Sequence, residues 1–217
     1  MFKTVYLLRF LILKIFILLL QDHGYSQSYF SNFDNNKIYI LARGTKSKQN
    51  IIVKVFNISD TNFTHIGIGY FDIETNKFNI YNINPSRGQN AFTIDSIPSF
   101  ISPPDIYYYG IWEINIGLRK VNKARKVMQK YKKLTVNFDY DFLLDNRKSS
   151  LYCSEFVWLF LNEISHSHFN FLPVSKELNF DNLNSLLNRK TFIYIPVDFF
   201  LQNKCIKKIA DYRIQSK

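Results

Sequence analysis

Phe156, Val157, Phe160, Leu161 and Ile164 fall on one face of a helix and make an apolar stripe beginning just after Cys153. Such a stripe has to be buried against another element. The stretches before it are rich in β-branched and aromatic residues at strand length. Lys37 to Ala42, His65 to Phe71, Lys77 to Ile83 and Ile106 to Ile116 read as strands, and so does Ile51 to Asn57, of which Ile51 to Phe56 could equally be a helix. Glu74-Thr75-Asn76 reads as the turn of a hairpin, with Asn76 able to take a left-handed conformation. A short helix is expected over Ser96 to Ile101, ended by Pro103-Pro104. The helix with the stripe runs from Tyr152 to Ser165, and Thr191 to Ile195 is a late strand. Strands first and helices late predict an α+β fold, with an antiparallel sheet packed against the helix that carries the cysteine.

Composition removes several other classes. Seven glycines and six prolines in 217 residues exclude collagen-like and Gly/Pro-rich low-complexity chains. No repeat at solenoid or propeller period is present. Two cysteines cannot build a disulfide-dense scaffold or a Cys-rich zinc site.

The N-terminus carries Lys3, Arg9 and Lys14 in an apolar run that closes at Leu20. Gly24-Tyr25-Ser26 follows, with small residues where a signal peptidase needs them. The run is therefore read as a signal peptide over residues 1–26, followed by one domain over 27–217. An uncleaved anchor or an amphipathic first helix is the alternative. Export changes how the formal charge of +11 is read, because nucleic acid is no partner for an exported chain. Much of that charge falls between Leu118 and Leu134, where eight Lys and Arg residues and no acid interleave with apolar positions at helical spacing. This is either a solvated helix face or a surface for anionic envelope material.

Two short segments carry chemistry. In Thr64-His65-Ile66-Gly67-Ile68-Gly69-Tyr70, strand alternation places His65, Gly67 and Gly69 on one face. Two glycines beside a histidine leave room for another segment to approach, although a lone strand histidine is commonly structural. In Leu151-Tyr152-Cys153-Ser154-Glu155, the cysteine opens a helix, where the positive end of the macrodipole favours a thiolate. Its alternative is a buried structural cysteine.

Together, FTHIGIGY and LYCSEFVW resemble the permuted papain-like amidases of the YaeF/YiiX group, circularly permuted relatives of bacterial cell-wall cysteine peptidases. The resemblance extends from YILARGT (Tyr39 to Thr45) to the late Pro-Asp segment in IYIPVDFF (Ile193 to Phe200). It implies a circularly permuted papain-like fold, with Cys153 as nucleophile and His65 as its base, in contact with each other. The family's third polar residue falls at Tyr81-Asn82-Ile83, where Asn82 can accept a hydrogen bond from the imidazole as in Cys-His-Asn sites. A three-residue loop at Glu74–Asn76 would pair Ile68 with Asn82 and set Asn82 on the face opposite His65; a different loop or a bulge would restore it. Asn84 shares that parity.

The implied activity is an exported thiol hydrolase, an amidase or peptidase. His65 holds Cys153 as thiolate, and an amide or ester is cleaved through an acyl-enzyme without metal or organic cofactor. Substrates would be envelope peptides or lipid amides and esters, at a periplasmic or envelope location. An acyltransferase, a lipid-amide hydrolase and a degenerate envelope binding protein are the alternatives. His166 and His168 read as a helix end rather than a metal site, and Asp139 and Asp141 as a turn. Glu155 falls in the first helical turn, where a negative charge is favourable, and Cys205 is a lone thiol.

Overall fold

A computed structural model of the chain describes residues 33–46, 53–59, 62–73, 75–85, 90–101, 104–145, 147–177 and 190–214. The signal segment expected over 1–26, with Gly24-Tyr25-Ser26, lies outside them. The unit that carries the candidate site runs over Asn35–Lys217.

Its centre is an antiparallel sheet built from β1 (Ile38–Thr45), β2 (His65–Asp72), β3 (Lys77–Ile83), β4 (Phe92–Asp95), β5 (Ile106–Ile114) and β10 (Ile206–Arg213), in the order β10-β5-β1-β2-β3-β4. Among the described residues, three helices accompany it besides the helical turn at Val53–Val55: α1 (Ile97–Ile101), α2 (Leu118–Tyr131) and α3 (Cys153–Ser165). Two small ladders complete the described residues. One joins β6 (Asn137–Phe138) to β7 (Ser150–Leu151), and the other joins β8 (Val174–Glu177) to β9 (Thr191–Tyr194). The α+β class read from the sequence is the one observed.

Alternation along the central strands decides what lies on each face. Ile38, Ile40 and Ala42 of β1, Ile66, Ile68 and Tyr70 of β2, and Tyr81 and Ile83 of β3 turn to the helix side. They meet the whole stripe of α3 and the apolar positions of α2 in one core. Phe156, Val157, Phe160 and Leu161 are fully buried, at about 1.5–3 kcal/mol of transfer free energy each. The other face carries Tyr39, Leu41 and Arg43 opposite Gly69, Gly67 and His65.

Several expectations change. Of the two readings left open for the segment from Ile51, the helical one holds where it is described: Val53–Val55 is helical. Helix α2 ends at Tyr131 rather than Leu134, with Lys132 as its C-cap. Thr191–Tyr194 pairs with Val174–Glu177 outside the main sheet. The sheet edges β4 and β10 had no counterpart in the sequence reading. The room expected over Gly67 and Gly69 is also filled by neighbours: a Cβ at Gly69 would stand 2.5 Å from Leu41 Cδ1 and 2.6 Å from Phe78 Cζ. These glycines are needed so that adjacent side chains can close over the sheet, and α3 packs on the opposite face.

Candidate active site

The start of α3 is held by the residues on either side of its cysteine. The Tyr152 hydroxyl accepts a hydrogen bond from Ile195 N–H at 2.9 Å, and Ser154 Oγ donates to the Ile195 carbonyl at 2.6 Å. Both polar groups of one residue, just beyond β9, are thus gripped by the helix start. The Pro-Asp segment that follows is anchored too: the Asp198 carboxylate accepts from the backbone N–H groups of Ile58 and Ser59 at 2.9 and 2.6 Å. Cys153 lies buried at the first helical position, and its thiol faces the backbone N–H groups of Ile66 and Ser154.

His65 is delivered by the bend of the neighbouring strand. The β1–β5 register shifts at Gly44/Thr45, and a Cβ at Gly44 would stand 2.0 Å from the Asn62 carbonyl oxygen. Only glycine allows that approach. The chain returns with Thr64 N–H donating to the Arg43 carbonyl at 2.9 Å and Thr45 N–H donating to Thr64 Oγ1 at 3.1 Å. His65 then opens β2, directly across from Arg43.

The hairpin register corrects the sequence reading. Asp72, not Ile73, pairs with Lys77, and Gly67, not Ile68, pairs with Asn82. The loop is four residues long, Ile73 to Asn76, with Asn76 left-handed at φ 52°. The extra residue restores parity, so Asn82 shares the face of His65. Its Oδ1 lies 2.9 Å from His65 Nε2.

Behind Asn82 stands a group that the sequence reading missed. Asn82 Nδ2 donates to Asp95 Oδ2 at 2.9 Å. A carboxylate only accepts, so the Asn82 amide must turn its nitrogen to Asp95 and its oxygen to His65. That oxygen also only accepts, so the proton of neutral His65 sits on Nε2 and the lone pair on Nδ1. Asp95 is on β4, a strand not expected from the sequence, and no local signal pointed to it. Arg43 was also missed, although it stands in the ARG segment next to the glycine that shapes the bend.

Cys153, His65 and Arg43 line one cavity of about 470 Å³. Much of its remaining wall is aromatic: Phe56, Phe138, Tyr140, Phe142, Phe192 and Tyr194. Asn84, the other candidate of the same parity, lines it as well, but its amide donates to Thr93 Oγ1 at 2.8 Å. No hydrogen bond joins the Cys153 thiol to the imidazole; the ring is tied to Asn82 and packs on Phe100 at 5.7 Å between centroids.

Electrostatics in the cavity run against the expected resting thiolate. Burial pushes the Cys153 thiol up to about 11, with the Ile66 and Ser154 N–H groups and the Arg43 charge pulling the other way. Burial, then Arg43, lower His65 to about 3, against the Asn82 hydrogen bond. The correction is that the thiol and the imidazole on this cavity wall both rest neutral. Desolvation here outweighs the helix N-terminus.

The other ionisable residues have structural settings. Asp139 accepts from the N–H groups of Asp141 and Leu143 at 2.9 and 2.6 Å, the turn expected there. His166 is the C-cap of α3, and His168 Nε2 stands 2.9 Å from Lys120 Nζ. Cys205 is a free thiol. Glu155 differs from its reading as a favourable charge: it is fully buried, neither oxygen completes a well-formed hydrogen bond, and burial raises its carboxyl to about 8 against the weaker pull of the Tyr152 backbone N–H. Part of the basic charge of α2 is used internally, by Lys123 on the Ile164 carbonyl, Arg125 on the Asn35 carbonyl and Lys130 on Glu163.

No protein-family model matches the chain, and no curated protein matches it. Among solved structures, metalloprotein YiiX from Escherichia coli O157:H7 is similar, with 14% sequence identity and a TM-score of 0.59 over 82% of this chain and 98% of that one. The residues here do not fit a metal centre: among those described, no group of three or more His, Cys, Asp or Glu side chains is gathered to hold an ion. What the likeness carries is the fold, which is YiiX-like.

Proposed function

We propose that this protein is a cysteine-dependent hydrolase of circularly permuted papain-like organisation that cleaves an amide or ester through a thioester. One observation carries the reading. Cys153, at a helix start, and His65, at a strand start, line the same cavity, and Asn82 backed by Asp95 leaves His65 Nδ1 as the free base. Histidine preceding cysteine in the chain, with asparagine on the far ring nitrogen, suits a permuted Cys-His-Asn site.

In the reaction, Cys153 Sγ attacks the carbonyl carbon while its proton passes to His65 Nδ1. The resting pair is neutral, so this transfer accompanies substrate binding rather than preceding it. The Cys153 backbone N–H at the helix start stabilises the oxyanion. His65 then protonates the leaving nitrogen or oxygen, the C–N or C–O bond breaks, and the acyl group remains on sulfur. Water attacks the thioester, gives its proton to His65 and releases the acid, and the proton returns to Sγ. An acceptor other than water would make the same site a transferase.

The aromatic wall favours an apolar acyl group, hence lipid amides or peptides with an apolar residue at the carbonyl side. The signal-peptide reading of residues 1–26 sets the reaction at the cell envelope, where the exposed cations of α2 suit anionic material. The test is acyl-enzyme trapping: incubate wild type and Cys153→Ala with peptide and lipid amide probes, and read the mass shift and product release. Wild type should gain one acyl mass at Cys153 and release product, and the variant should do neither while melting within a few degrees of wild type. A Cys153→Ala variant with full turnover ends the hydrolase reading.

A further inference from the structure

We infer that Arg43 is the anchor for a carboxylate on the leaving group, so that the substrate is an amide joining an apolar acyl group to an amino acid with a free α-carboxylate. The inference rests on the hydrolase reading above and adds the substrate class.

Arg43 is the only permanently charged side chain among the described residues lining the cavity. Its guanidinium is pre-set: Nη1 donates to the Phe100 carbonyl at 2.5 Å, and the plane lies over the Phe100 ring at 4.6 Å. No carboxylate reaches ion-pair distance of it among the described residues. Asp95 and Asp105 act on it only from further away, and Asp95 is already engaged by Asn82 and Ser99. Among the described residues Nη2 has no hydrogen-bond partner, and Nε is buried without one. A cation half-removed from water and left with donors to spare is costly unless a ligand completes it. A guanidinium matches a carboxylate by two parallel hydrogen bonds.

Its position says which part of the substrate it meets. Arg43 pairs across the ladder with His65, the group that protonates the leaving nitrogen. An anion on Arg43 therefore belongs to the leaving group. The aromatic wall of Phe56, Phe142, Phe192 and Tyr194 is left for the acyl side. The chemistry is that of an N-acyl amino acid or of a carboxyl-terminal residue released from a peptide. In either case water adds across the amide, giving a carboxylic acid and a free amino acid.

The experiment compares matched pairs that differ only in the anion. N-octanoylglycine is set against N-octanoylglycinamide, and N-acetylphenylalanylglycine against its amide. Wild type should prefer the acid of at least one pair by about 10–100-fold in kcat/KM, the range one charge-assisted hydrogen bond supplies. The preferred pair tells lipid from peptide. In Arg43→Gln the acid-to-amide ratio should fall to about one. A wild-type ratio at or below one in both pairs overturns the inference, and so does a ratio that survives in Arg43→Gln. If Arg43→Gln does not fold, Arg43→Lys is read instead: a reduced preference supports the anchor, and an undiminished one assigns the carboxylate elsewhere. If wild type turns over none of the four, equilibrium dialysis with Cys153→Ala separates the two ideas. Tighter binding of the acids keeps the anchor while the hydrolase reading falls, and equal binding removes the anchor as well.

Discussion

Asn82 is turned by Asp95: its amide nitrogen lies 2.9 Å from the Asp95 carboxylate, so its oxygen is the atom that faces His65. The carboxylate does not touch the imidazole, yet it decides which ring nitrogen carries the proton. Replacing Asp95 with asparagine would let the Asn82 amide rotate and offer His65 either a donor or an acceptor. Asp95→Asn should lower kcat by about 10–100-fold with little change in KM, the pattern of a lost orienting hydrogen bond. Because this is a positioning role, the imidazole tautomer is the decisive readout: nitrogen-15 shifts of His65 should show one Nε2–H form in wild type and a mixture in the variant. A single unchanged tautomer would remove Asp95 from the site.

The burial of Glu155 predicts an unusual pH dependence of stability. Its folded value of about 8 lies above the ordinary 4.5. Between those values the native state holds a proton that the unfolded state has lost, so stability falls as pH rises from about 4.5 to 8. Glu155→Gln removes the titration. It should gain on wild type steadily across that window, with each 1 kcal/mol worth about 2–4 °C in Tm. Equal Tm differences at pH 5 and pH 8 would show that Glu155 ionises freely.

His65 predicts the opposite slope at lower pH. Its folded value of about 3 lies below the ordinary 6.5, so only the unfolded state takes up the proton between them. Stability should fall as pH drops from about 6.5 to 3. His65→Gln, which keeps a polar group opposite Asn82 and cannot titrate, should flatten that limb in thermal melts. An acid limb unchanged in the variant would assign it to the carboxylates.

Much of this arrangement was legible in local patterns, and the rest was not. The stripe from Phe156 to Ile164 and the alternation from His65 to Tyr70 gave the helix, the strand and their apolar faces, because each depends on neighbours along the chain. Asn82 was readable as the third residue, but its face depended on whether the hairpin loop held three residues or four. Asp95 and Arg43 act through pairing between distant strands, which no spacing in the sequence reveals. The resting charge of Cys153 went the other way from expectation because depth of burial, rather than helix position, dominates it.

The bend at Gly44 gives the sharpest steric prediction. A methyl group there would stand 2.0 Å from the Asn62 carbonyl oxygen and 2.9 Å from the Tyr107 ring, and the backbone contact cannot be relieved by a side-chain rotation. Gly44→Ala must push apart β1 and the segment returning to Thr64, which overpacking values put at about 1–3 kcal/mol or more. Those are the segments whose bonds, Thr64 N–H to the Arg43 carbonyl and Thr45 N–H to Thr64 Oγ1, set where His65 begins β2. The variant should therefore lose both Tm and activity, and activity should stay low at temperatures where the protein is fully folded. Gly117 is the control: nothing lies within 4 Å of a Cβ built there. Gly117→Ala should keep the Tm within about 2–4 °C of wild type, the shift that 1 kcal/mol produces in a chain of this length. If the two alanine variants melt alike, the close approach at Gly44 is not what shapes the site.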